Sequence, residues 1–198
     1  VQERFFRHNY NAFRKELNQP FAIEGRPYPL GLLATRSNLL ELYEKIILQD
    51  PKGFLEELLE HAALYSAILG RTREGVGEKL AECYVNLYRI QGAPSYLLLL
   101  YLEKNRERLG LDEGEVIEIS RLLISFFVRR NLTDLPPTRD LTRLFMTLVE
   151  KIGEHDPIGG EVRALIREEL AGCSASDELF LERLRGPVYD DNVGATRF

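Results

Sequence analysis

The seven residues Tyr96-Leu97-Leu98-Leu99-Leu100-Tyr101-Leu102 constrain this chain most. They follow Pro94-Ser95, a plausible helix start, and the spacing predicts a helix through Arg108. At 3.6 residues per turn such a run is apolar on every side, so it must be enclosed by neighbours. It falls far short of the roughly 18 apolar residues that a membrane span needs. The chain is therefore expected to wrap other helices around this segment, with no membrane partner.

Those other helices are legible from periodicity. Phe5, Phe6, Tyr10, Phe13 and Leu17 mark one face of a first helix. The stretch from Gln19 to Gly31 carries Pro20, Gly25, Pro27 and Pro29, too many breakers for a long helix. Phe21, Ile23 and Tyr28 are expected to pin it to the core. Ser37 suits an N-cap for a helix with Leu40, Tyr43, Ile46 and Ile47 inward. Asp50-Pro51 opens the next, with Leu55, Leu58, Leu59, Ala62, Tyr65 and Leu69 inward and Gly70 as a stop. Val76, Leu80, Cys83, Tyr84 and Leu87 mark another, ending near Gly92. Asp112 caps a helix to Arg130, and further helices fall near 138–152, 162–170 and 177–184. No alternating strand pattern and no fixed-period repeat is visible. The expected fold is all-α, a bundle or array of about eight to nine helices without significant sheet. Residues 1–186 read as a single helical domain and 187–198 as an irregular tail.

Composition narrows the function classes. The net charge of −5 argues against a whole-surface grip on nucleic acid, though it leaves room for a local basic patch. Cys83 and Cys173 match no zinc or redox spacing and read as reduced thiols, as expected of a cytoplasmic protein.

Candidate chemistry is sparse. His61 has Glu57 four positions before it but no second histidine at helical spacing, so it reads as a helix-surface or boundary residue rather than a metal ligand. Glu154-His155-Asp156-Pro157 reads as a polar break between helices. Gly70 to Lys79 superficially imitates a phosphate loop. However, Val76 follows Gly75 where Lys-Ser/Thr is needed, so it reads as an inter-helix loop. No catalytic residue, metal site or cofactor is assigned. The distinctive segment is 121–151, with six Lys/Arg against three Asp/Glu. Arg129, Arg130, Arg139 and Arg143 are the candidate contacts to a phosphate or a partner carboxylate. The alternative is that paired arginines answer a helix C-terminus and tie the next loop.

The same segment carries a family resemblance. Arg129-Arg130, then Pro137-Thr138, then Leu141 to Phe145 resembles the helical middle region of GmrSD-like modification-dependent (type IV) restriction endonucleases of bacterial anti-phage defence. Ala93-Pro94-Ser95-Tyr96-Leu97-Leu98 is similar to that family's Pro-x-Leu-Leu helix start. Tyr189 through Arg197-Phe198 resembles the stretch leading into its nuclease domain. The resemblance spans about residues 35–198. It implies that the parent protein joins a ParB/sulfiredoxin-like nucleotide-using domain to an HNH nuclease, neither present in this chain. This segment is then expected to be a non-catalytic helical connector without cofactor. Its partners would be those two domains, and DNA through the local basic patch. Two other readings stay open: a helical protein-interaction module unrelated to restriction, and a helical enzyme whose site assembles from scattered residues.

Overall fold

The helix starts that the sequence marks most clearly are built as expected. The Asp50 carboxylate accepts from the Gly53 N–H at 3.0 Å, with Pro51 in the first helical position. The Asp112 carboxylate accepts from the Glu115 N–H at 2.8 Å. Each cap satisfies an amide that the helix itself leaves free. Gly70 ends its helix at φ +66°, a conformation that side chains resist.

The computed structural model describes residues 2–73 and 75–185; the expected tail at 187–198 lies outside the described residues. Among the described residues, ten α-helices follow one another. They are α1 (Gln2–Ala12), α2 (Arg14–Asn18), α3 (Leu39–Ile47), α4 (Pro51–Ile68) and α5 (Glu78–Arg89), then α6 (Tyr96–Lys104), α7 (Glu113–Thr133), α8 (Thr138–His155), α9 (Gly160–Cys173) and α10 (Asp177–Arg185). Among the described residues the only β pairing is an isolated bridge between Ile23 and Arg26. The fold is all-α. No described helix is long and apolar enough to cross a membrane. The count exceeds nine because the first helix breaks at Phe13, whose backbone leaves the helical region (φ −113°, ψ 24°).

The apolar helix α6 sits where its sequence requires. Tyr96, Leu97, Leu98, Leu99, Leu100, Tyr101 and Leu102 are all buried, and α1, α4 and α8 pack around them. It ends at Lys104 rather than Arg108, and Asn105 closes it by donating its side-chain amide to the Tyr101 carbonyl. The long α7 forms a second axis against α5, α9 and α10. Phe126, Phe127 and Phe145 join α7 to α8 through ring contacts at 6.0–6.2 Å. Cys83 lies in this core, and both cysteines are free thiols.

A smaller cluster of Tyr10, Ala34, Leu42, Tyr43, Ile46 and Phe54 shares Phe6, Leu17 and Leu58 with the main core. Here the structure corrects several expectations. Leu40 and Ile47 of α3, and Leu55 and Leu59 of α4, were expected inward but are exposed. Apolar residues cover most of the circumference of both helices, so periodicity leaves the docking face open. Packing selects the face with large side chains that satisfy their polar atoms. Tyr43 is buried because its hydroxyl donates to the Phe6 carbonyl at 2.8 Å and accepts from the Asn9 amide at 3.1 Å. Ile23 is also exposed, because the turn that carries it closes on itself between Ile23 and Arg26.

The breaker-rich segment between α2 and α3 has few backbone partners of its own. Polar side chains of α1 and α2 supply them. The Leu30 N–H donates to Asn18 Oδ1 at 2.9 Å, and the Ala34 N–H donates to Asn11 Oδ1 at 2.8 Å. Tyr10 donates its hydroxyl proton to the Gly31 carbonyl at 2.6 Å. Asn11 and Asn18 are both buried for this purpose, while the buried Asn9 serves Tyr43 and His61 instead.

Two substitutions separate apolar packing from this polar comb. Leu99→Ala should cost about 2–5 kcal/mol in chemical denaturation, whereas the exposed Leu48→Ala should stay within about 0.5 kcal/mol. Asn11→Ala should cost about 1–3 kcal/mol by orphaning a buried amide, and should accelerate hydrogen exchange at Ala34 before it does so in α6. Equal acceleration everywhere would mean that the comb has no local role.

Candidate functional site

The four arginines expected to form one patch divide into two pairs with different tasks. Arg129, near the end of α7, donates to the Ala175 carbonyl at 3.0 Å and to the Asp177 carboxylate at 2.6 Å. Its guanidinium lies 4.7 Å from the centre of the Phe180 ring. It therefore holds the start of α10 against α7. Arg130 donates to the Pro136 carbonyl at 3.2 Å and to the Thr138 hydroxyl at 2.6 Å, clamping the α7–α8 loop. These are the loop-tying contacts that a pair of arginines at a helix C-terminus can make.

Arg139 and Arg143 are displayed instead. They stand one turn apart on α8 and both are exposed, Arg139 at 86%. The contact recorded for the Arg139 guanidinium is Asp140 at 3.9 Å, beyond hydrogen-bond reach. Arg139 does not share a site with Arg129 and Arg130, as the charge window suggested. It lines a cleft of about 340 Å³ together with Arg4 and Arg7 of α1 and Arg36 of the connecting segment. Thr142 of α8, Pro94 and the 33–35 backbone complete the walls.

The cleft exists because the polar comb brings its parts together. Asn11, itself a lining residue, anchors Ala34 and so fixes Arg36 beside α1. Arg4 and Arg7 project from the N-terminal half of α1, one turn apart by sequence. Glu3 lies 3.5 Å from the Arg7 Nε and 3.7 Å from the Arg36 Nε, bridging the two walls. The Arg7 Nε is buried without a hydrogen bond.

His8, in the same wall, is kept neutral. Burial, with the charges of Arg7 and then Arg4, lowers its pKa to about 3. Its Nδ1 is 2.9 Å from the Tyr65 hydroxyl, whose own ionisation burial pushes upward. No periodic signal marks this site, since Arg4, Arg36 and Arg139 are separated along the chain and only the fold joins them. The 121–151 charge window located one wall and missed the other.

His61 is not the surface residue expected. It is 2% exposed, stacked on Phe13 at 4.2 Å, and its Nδ1 meets Asn9 Oδ1 at 2.7 Å. The amide oxygen can only accept, so Nδ1 carries the proton. Burial, reinforced by the charge of Lys104, lowers its pKa to about 4. His155 ends α8, exposed, with its Nδ1 at 2.8 Å from the Lys151 carbonyl, and Gly70 to Lys79 connects α4 to α5. Among the described residues, no group of three or more His, Cys, Asp or Glu side chains converges as metal ligands would.

Comparison with protein-family models, with curated proteins and with solved structures found no match for this chain.

The two buried histidines make stability acid-sensitive. Their folded-state pKa values lie below the ordinary 6.5, so the unfolded chain binds protons that the folded chain refuses. Full stability is held above pH 6.5 and declines as pH falls from there toward about 4 for His61 and about 3 for His8. For His61 the slope should approach about 1.4 kcal/mol per pH unit. His61→Gln, which retains a donor for Asn9, should flatten part of that slope in denaturation curves between pH 6.5 and 4. An unchanged slope would assign the acid sensitivity elsewhere.

Proposed function

We propose that this chain is the non-catalytic helical connector of a GmrSD-like modification-dependent nuclease, a bacterial anti-phage restriction protein. It couples a nucleotide-using domain on its N-terminal side to an HNH nuclease on its C-terminal side. The family reading is supported by the resemblance at Arg129-Arg130, Pro137-Thr138 and Leu141 to Phe145. The observation that carries the coupling role is the attachment of α10. No residue of α10 is fully buried, while Arg129 grips the helix through Ala175, Asp177 and Phe180. A cavity of about 500 Å³, lined by Leu122, Phe126, Arg129, Leu170 and Ser174 among others, lies beside that grip. An element with no fully buried residue, lying beside a cavity, opens at lower cost than the packed helices behind it. An arm of this kind suits a joint between a rigid body and a domain that must move.

A second reading, a protein-interaction module unrelated to restriction, is favoured by a different observation. Leu40 of α3, Leu48 just after it, and Leu55 and Leu59 of α4 are 55–79% exposed, and the two helices pack together. Clustered exposed leucines mark surfaces that proteins cover.

Arg129→Ala separates the two. It should raise hydrogen exchange in α10 by about tenfold or more, as expected for loss of charge-assisted hydrogen bonds, while α6 and α7 stay protected. In the parent polypeptide the same change should uncouple cleavage of modified DNA from nucleotide. A parent with no nuclease domain, or unchanged α10 exchange, would remove the coupling role. Loss of a protein partner on Leu55→Lys with Leu59→Lys would favour the second reading.

A further inference from the structure

The cleft between α1, the 33–36 segment and α8 concentrates positive charge on an acidic molecule. Four arginines, Arg4, Arg7, Arg36 and Arg139, line it, and no Asp or Glu is among its lining residues. Among the described residues, the carboxylates paired with these four are Glu3 and Asp140, all at 3.5 Å or more. Arg143 extends the charge one turn along α8. The rest of the chain must carry the excess of negative charge, since the net value is −5. A concave basic surface within an acidic field focuses an anion onto one place.

The form of the cleft bears on what kind of anion fits. Arg36 and Arg139 are 87% and 86% exposed, and Arg4 is exposed as well. The guanidiniums thus stand around an open trough rather than close over a chamber. A small ligand held for its shape is usually enclosed by apolar walls with a few fixed polar groups. A polyanion passing across the surface needs the opposite: several guanidiniums in a row, each free to fork onto a phosphate oxygen. Arg7 lines the trough as well, with its Nε buried without a hydrogen bond. His8 adds no charge of its own, so the site depends on arginine alone.

We propose that the cleft formed by Arg4, Arg7, Arg36 and Arg139 is a phosphate-binding site that takes the sugar-phosphate backbone of a polynucleotide. This does not rest on the coupling role of α10, and the two can fail separately. Binding here should be independent of base sequence and of base modification, because the one carboxamide of the lining, Asn11, is buried and bonded to Ala34, and its one ring, His8, is engaged by Tyr65.

The test uses the full chain, with a fluorescein-labelled DNA duplex lacking terminal phosphates, ATP and inorganic phosphate as probes. The triple variant Arg4→Ala, Arg36→Ala, Arg139→Ala removes exposed side chains with only long ion-pair contacts, so the fold should hold. The control triple Arg26→Ala, Arg71→Ala, Arg121→Ala removes the same charge at positions outside the cleft. The chain should bind the duplex in a salt-sensitive manner, with a slope corresponding to about three or four phosphates. The cleft variant should lose at least tenfold in affinity, while the control should change far less. Absence of duplex binding at low salt would overturn the proposal, as would equal losses in both triples. Arginine-dependent binding of ATP or inorganic phosphate without the duplex would also overturn it, making the trough a small-anion site.

Discussion

Arg14 is the interaction on which the N-terminal third of this molecule depends. A guanidinium 2% exposed is costly unless its donors are satisfied and its charge is met. Here one amino group donates to the Asn11 carbonyl at 2.6 Å, and the other to the Met146 carbonyl at 3.0 Å and the Glu150 carboxylate at 2.8 Å. Tyr28 donates its hydroxyl to the same carboxylate and places its ring beneath the guanidinium at 5.6 Å. Through one side chain, the α1–α2 break, the breaker-rich segment and the middle of α8 are held in a fixed relation. Burial and the bond to Glu150 push the Tyr28 pKa up to about 12, so this junction keeps its protons throughout the physiological range.

The asparagines extend this logic. A segment with four breakers between residues 20 and 29 cannot supply its own ladder, yet its amides are partly covered and need partners. Asn18 serves three groups at once: its amide donates to the Tyr10 hydroxyl and the Arg14 carbonyl, while its oxygen accepts from Leu30. Asn11, seven residues earlier, exchanges two hydrogen bonds with the Ala34 backbone. The stability of α1 and the shape of the segment are thus one quantity. The cationic trough inherits its geometry from it, because Arg36 is placed by Ala34 and Arg4 and Arg7 by α1.

What was legible in the sequence follows from this division. The all-apolar α6 admits one solution, so its burial was plain, and Asp50 and Asp112 announced their helices by local chemistry alone. The docking faces of α3 and α4 were not legible. Leucine at 40, 55 and 59 looks as inward as Tyr43 or Phe54, and only the hydroxyl partners of Tyr43 decide between them. His61 misled for a related reason: a lone histidine in a helix carries no sign of the Asn9 oxygen 52 positions earlier that makes its burial tolerable. Polar comb and trough share that property. Both consist of pairs distant in sequence, and a single sequence records periodicity within an element better than complementarity between elements.

The arginines show how the same residue type divides by context. Arg129 and Arg130 spend their donors on the loop carbonyls of Ala175 and Pro136, and Arg14 on the Asn11 carbonyl where α1 stops as well as on Met146 of α8. Arg4, Arg36 and Arg139 lie on exposed helix flanks or in a loop, where the neighbouring carbonyls are already taken or solvated. Their guanidiniums keep unfilled hydrogen-bonding capacity. Charge density alone would have grouped Arg129 with Arg139, ten residues apart in one basic window. Donor occupancy separates them: the first set fixes the body, and the second faces outward with forks available to an anion. The proposed connector, holding a movable arm and meeting a polyanion, would need arginines of both kinds on different surfaces, so that engaging one does not release the other.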